Sequence, residues 1–143
     1  DARSARIFVG VALHEGRREK QALLEEVAGA GYTVFDMSDD EMAKLHVRYM
    51  VGGHAHGLEH ERLFRFEFPE RPGALLKFLQ AIGSRWNISL FHYRNHGSDY
   101  GRVLAGVQVP PADAAEFEQH LRDLQYAYTE ETGNPAYRMF LGG

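Results

Sequence analysis

The sequence predicts an α+β protein whose residues 62–129 run in the order β-α-β-β-α-β. This is the split-βαβ, ferredoxin-like arrangement: an antiparallel four-stranded sheet with both helices on one face. Three observations carry that expectation. Short β-branched and aromatic segments recur at 63–68, 88–94 and 102–109, apolar stripes at helical spacing occupy 75–82 and 114–124, and glycine and proline punctuate the joints. The composition allows a core, since 44% of the 143 residues are hydrophobic and 12% aromatic. The absence of cysteine excludes a disulfide scaffold, a thiolate zinc site and a cysteine nucleophile. A net charge of −4, with lysine only at Lys20, Lys44 and Lys77, argues against a nucleic-acid partner. No apolar run approaches the ~20 residues of a membrane span, and residues 1–6 do not open a signal peptide. The expected setting is cytoplasmic, for a whole protein or a piece of one.

Taken in order, Ile7–Leu13 reads as a strand. Leu23, Leu24, Val27 and Ala30 then stand at helical spacing, with Gly29 and Gly31 as the stop. Tyr32–Phe35 reads as a second strand. Ser38-Asp39-Asp40-Glu41 fits a capping box opening a short helix through Met42 and Leu45. Val47–Val51 alternates like a strand, and 52–57 is the best linker segment. Beyond it, Leu63–Phe68 alternates as a strand. Pro69-Glu70-Arg71-Pro72-Gly73 closes it and opens a helix, with Leu75, Leu76, Leu79 and Ile82 expected on one face. Ile88–Arg94 and Arg102–Val109 pair across the turn at 96–101, and Pro110-Pro111 stops the second of them. Ala114, Phe117, Leu121 and Leu124 mark the next helix, Tyr126–Tyr128 the last strand, and Asn134-Pro135 turns the chain into 137–141.

The two halves carry a concealed repeat. Residues 6–11 can be laid on 102–107, and the helix-then-strand of 24–34 on that of 117–128. Residues 1–53 therefore read as the closing β-α-β of a first unit plus a connector, 54–61 as a linker, and 62–143 as a complete second unit. The opening β-α-β of the first unit is expected upstream of Asp1. The alternative is chance likeness between two short apolar strands.

Few residues invite chemistry. His54, His56 and His60 cluster at the linker, but no cysteine or spaced carboxylate completes a metal site, so solvated histidines are the simpler reading. His92 and His96 flank Tyr93, with only Ser89 or Ser98 as partners for a general base. Neither a P-loop nor a dinucleotide fingerprint occurs. The strand 102–109 lacks the aromatic platform of an RNA-binding sheet. The segment Pro69-Glu70-Arg71-Pro72-Gly73-Ala74-Leu75-Leu76 is more informative. A helix start there leaves backbone N–H groups for a carboxylate, Gly73 leaves room, and Leu75 and Leu76 can wall an aliphatic side chain. Ordinary helix-start chemistry explains the same residues.

Long, specific stretches bear on that choice: residues 39–53, 66–79, 86–94, His96-Gly97, 99–104 and Asn134-Pro135-Ala136. In these the chain resembles the C-terminal regulatory region of biosynthetic threonine deaminase (threonine ammonia-lyase), and Pro72-Gly73-Ala74-Leu75 is the general signature of amino-acid-sensing ACT domains. The resemblance implies two ACT-like subdomains after a catalytic domain that binds pyridoxal phosphate and converts threonine to 2-oxobutanoate, on the route to isoleucine. It implies isoleucine as inhibitor, valine as antagonist, the catalytic domain of the same chain as partner, and a homo-oligomer, tetrameric in the whole enzyme. Carried over, the effector site comprises Pro72, Gly73, Ala74, Leu75, Leu76 and Tyr93. None of the three lysines resembles the family's Schiff-base lysine and the phosphate loop is not here, so neither cofactor nor activity is expected of this chain. The competing reading is an ACT-like interaction module that binds no ligand.

Overall fold

The computed structural model describes residues 6–47, 50, 57–95, 97 and 99–142. The chain divides between Asp40 and Glu41 into two compact units. Among its described residues the first holds one helix, α1 (Arg17–Gly29), on which Leu23, Leu24 and Val27 are half-buried. Glu19, in its first turn, accepts from the backbone N–H groups of His14 (2.7 Å) and Glu15 (2.8 Å), and so ties the segment ahead of the N-cap to the helix start. Lys20 pairs with Asp36 at 2.7 Å.

The two strands expected in this unit do not form among its described residues. Residues 7–13 and 32–35 lack ladder structure, and Ile7, Val9, Tyr32 and Phe35 are exposed. A strand exists only with a partner for its backbone groups, and β-propensity alone supplies none. Among the described residues, only the helix of the expected closing β-α-β is formed. The capping box is also replaced. The Ser38 backbone N–H donates to Asp36 (2.9 Å), and the next helix begins at Glu41 rather than Asp39.

The second unit opens with α2 (Glu41–Leu45), so this helix and Val47, which the sequence assigns to the connector, fall within it. The reason is burial: Met42, Ala43 and His46 are fully enclosed. The Met50 N–H donates to the Val47 carbonyl at 3.1 Å. Arg48, Tyr49, Val51 and the linker at 52–56, with His54 and His56, lie outside the described residues.

From there the expected order appears: β1 (Glu61–Pro69), α3 (Ala74–Gly83), β2 (Asn87–Arg94), β3 (Tyr100–Gln108), α4 (Ala114–Leu124) and β4 (Ala127–Glu130), followed by α5 (Pro135–Phe140). The strands form one antiparallel sheet in the order β2-β3-β1-β4, with Phe64 opposite Ala105 and Phe66 opposite both Val103 and Tyr128. Alternation sends Phe64, Phe66 and Phe68 to one face, where they pack with Phe78 and Ile82 of α3 and Phe117, Leu121 and Leu124 of α4. The Phe66 and Phe78 rings meet edge to face at 4.7 Å. Trp86 seals the end of this core and donates its indole N–H to Asp113 at 3.1 Å.

The opposite face carries Leu63, Arg65, His92 and Leu104, by the same alternation. There His46, the residue after α2, meets His92, and the Tyr137 hydroxyl of α5 donates to Glu61 at 3.0 Å. Asn134 caps α5 by accepting from the Ala136 N–H at 2.8 Å, which is how Asn134-Pro135 turns the chain. No described helix is long and apolar enough to cross a membrane.

Candidate functional site

The junction of β1 and α3 is built by backbone. The Glu70 N–H donates to the Asp99 carbonyl (2.8 Å), which ties the turn to the β2–β3 connection. The Ala74 N–H donates to the Arg71 carbonyl (3.2 Å). Gly73 then sits at the helix N-cap with φ 83° and ψ −9°, in the left-handed region, so glycine is demanded by the backbone itself. No side chain caps the helix. Leu75 and Leu76 stand in its first turn, where an amide N–H has no acceptor within the helix.

The corner is open. Pro72, Gly73, Leu75, Leu76 and Tyr93 are all exposed, and a Cβ placed on Gly73 meets nothing within 4 Å. Leu76 is 58% exposed. Ala74 departs from the expected site, because its side chain is buried in the core and only its backbone belongs to the corner. The expected face of α3 is also corrected. The core takes Ala74, Phe78 and Ile82, whereas Leu75, Leu76 and Leu79 are left at the surface.

Tyr93 reaches the corner from β2. Its ring stacks on Phe68 (6.2 Å between centroids) and its hydroxyl donates to Glu70, a bond that raises its pKa. Two residues absent from the expected site make this possible. Glu70 lies inside the quoted turn and places a carboxylate beside the helix start. Gly101, on β3, leaves space that a Cβ would close by striking the Glu70 carboxylate and approaching Tyr93 Cε2 to 2.9 Å. Glu70 is legible in the sequence, within Pro69-Glu70-Arg71-Pro72-Gly73. Nothing local marks Gly101, whose importance comes from the cross-strand pairing of Phe68 with it.

The other candidates do not converge on catalysis. His92 Nδ1 faces His46 rather than Ser89, while His96 and Ser98 lie outside the described residues. His60 adopts φ 56° and its carbonyl accepts from Val109. No group of three metal-ligating side chains occurs among the described residues. The residues present do not fit pyridoxal phosphate either. Lys20 is paired with Asp36, Lys44 with Glu41, and the Lys77 ammonium lies 5.3 Å from the Tyr126 ring centroid. All three are surface contacts, with no enclosed amine to form a Schiff base.

Comparison with known proteins places this geometry in context. Residues 52–141 match the family model described as the C-terminal regulatory domain of threonine dehydratase. The whole chain is 57% identical over 144 aligned residues to an L-threonine dehydratase biosynthetic IlvA of Escherichia coli, and 54% identical over 143 to its namesake in Salmonella typhimurium. The chain spans 28% of the length of each. A mitochondrial threonine dehydratase of Saccharomyces cerevisiae is 45% identical over 137 residues, covering 96% of this chain and 24% of its own.

Proposed function

The chain belongs to the family of threonine dehydratase C-terminal regulatory domains, and from that premise we propose that it senses a free branched-chain amino acid at the β1–α3 corner. One observation carries the reading. An uncapped helix start, an exposed leucine pair and a carboxylate held by a tyrosine stand together at one corner of an ACT-like sheet. These match the three parts of the ligand. The effector carboxylate takes the Leu75 and Leu76 amides, where the helix dipole adds to hydrogen bonding. Its ammonium faces Glu70, and its alkyl group lies on Leu75 and Leu76. Isoleucine is the inhibitor and valine its antagonist, and the regulated activity is the pyridoxal-phosphate-dependent deamination of threonine to 2-oxobutanoate. That activity resides in a catalytic domain of the same polypeptide, within a homo-oligomer. An effector shifts such an enzyme only by binding one conformation better than another, typically by about 1–3 kcal/mol.

Calorimetric titration of the chain with isoleucine and valine tests the reading, with leucine and the 2-oxo acid of isoleucine as controls. Saturable heat is expected from isoleucine and valine and none from the 2-oxo acid, which lacks the ammonium. Silence from both amino acids, or equal binding of the 2-oxo acid, overturns it.

A further inference from the structure

The least ordinary contact of the second unit lies on the other face of the sheet. His46, the residue following α2, is 0% exposed, and its Nδ1 stands 2.8 Å from the Nδ1 of His92 on β2. The rings meet edge to face with centroids 5.1 Å apart. One Nδ1 must carry the hydrogen and the other must accept it. His46 Nε2 is buried without a partner, so the pair has no second group to take up a charge there. The surroundings are cationic. Arg65 of β1, Arg94 of β2 and Arg102 of β3 all act on His46. Two of those arginines hold acidic partners: Glu131 pairs with Arg65 at 3.0 Å and Glu67 approaches Arg102 at 3.5 Å. Glu41, on α2 itself, pairs with Lys44.

We propose that the His46–His92 contact is a proton-sensitive latch that holds α2 on the sheet only while both imidazoles are neutral. A first proton leaves a hydrogen bond but places an imidazolium among three guanidinium groups. A second makes both Nδ1 atoms donors and destroys the bond. Burial foremost, then His92 and the arginines, holds His46 down to about 3, and burial and Arg94 lower His92. The released histidines titrate near their ordinary value of about 6.5. The docked state therefore binds fewer protons than the released one, and docking weakens as pH falls below that value. Between pH 7.5 and 5.5 the opening constant of α2 rises about tenfold through His46 alone, and His92 adds to the rise in the same direction. Because α2 follows directly on the first unit, the latch governs how firmly the chain is anchored where it enters the second.

The test is hydrogen exchange of the His46 amide, which donates to the Met42 carbonyl at 2.9 Å, corrected for intrinsic rate and compared with the Ala105 amide of the central sheet. In the 143-residue chain, protection of the His46 amide is expected to fall at least tenfold between pH 7.5 and 5.5 while Ala105 holds. In His46→Phe, whose ring fills the site without titrating, the neighbouring Leu45 amide is expected to show no such fall, against a full fall in the parent. Flat protection in the parent, or an equal fall in the variant, overturns the latch. Should the variant not fold, the imidazole nitrogen resonances of the parent decide. Rings that stay neutral at pH 6 while α2 is protected uphold it, and rings that titrate near 6.5 with α2 still protected refute it.

Discussion

Two substitutions at Gly73 separate backbone strain from ligand exclusion. In Gly73→Ala the added methyl meets nothing within 4 Å, so its cost is conformational only. An alanine held at φ 83° loses about 1–2 kcal/mol relative to glycine. Gly73→Asp meets the same strain, and no cap offsets it, because a side chain caps a helix from an extended N-cap residue rather than from one at φ 83°. Both variants are therefore expected to be less stable than the parent by about 1–2 kcal/mol. Isoleucine binding separates them. The alanine leaves the amides free and weakens binding only through the altered turn, whereas the aspartate brings a like charge to the proposed seat and repels the incoming carboxylate, abolishing measurable affinity. Urea unfolding and calorimetric titration of the three proteins give both comparisons. Parent-like isoleucine binding by Gly73→Asp would refute the proposed seat of the effector carboxylate, and a matching loss in both variants would mean that turn geometry alone matters.

Further consequences are open to measurement. Gly101→Ala should displace Glu70 from Tyr93 and weaken isoleucine binding at least tenfold. Its stability cost should be about 1–3 kcal/mol, because the methyl also presses on the Tyr93 ring at 2.9 Å; unchanged affinity would remove Glu70 from the site. Leu76→Ser, at a 58% exposed position, should leave the urea midpoint within error yet reduce affinity for isoleucine. If affinity holds, the leucine wall is not part of the site. Phe78→Ala empties the centre of the core, where the ring touches Phe66, Phe68 and Phe91, and should cost about 3–5 kcal/mol in unfolding experiments. A loss below 1 kcal/mol would contradict the packing described.

The elements of the second unit were legible because each carries its own period. Phe64, Phe66 and Phe68 alternate, Phe117, Leu121 and Leu124 repeat at helical spacing, and Pro69 and Pro110 mark the ends. The face of α3 was not legible. Ala74, Leu75, Leu76, Phe78, Leu79, Ala81 and Ile82 make the helix apolar nearly all round, and a pattern apolar on every side cannot select which side is buried. In the first unit Ile7–Leu13 has the composition of a strand but no ladder.

Local sequence thus determined where helices and strands of the second unit begin, how they follow one another, and that Gly73 opens a helix start beside two leucines. These depend on propensities and periods that act over a few residues. Only the tertiary structure decided that α2 belongs to the sheet, that Glu70 and Gly101 complete the corner around Tyr93, and that His46 and His92 face one another. Each of those joins residues far apart in the chain, and their proximity is set by strand pairing and burial, which no short stretch of sequence contains.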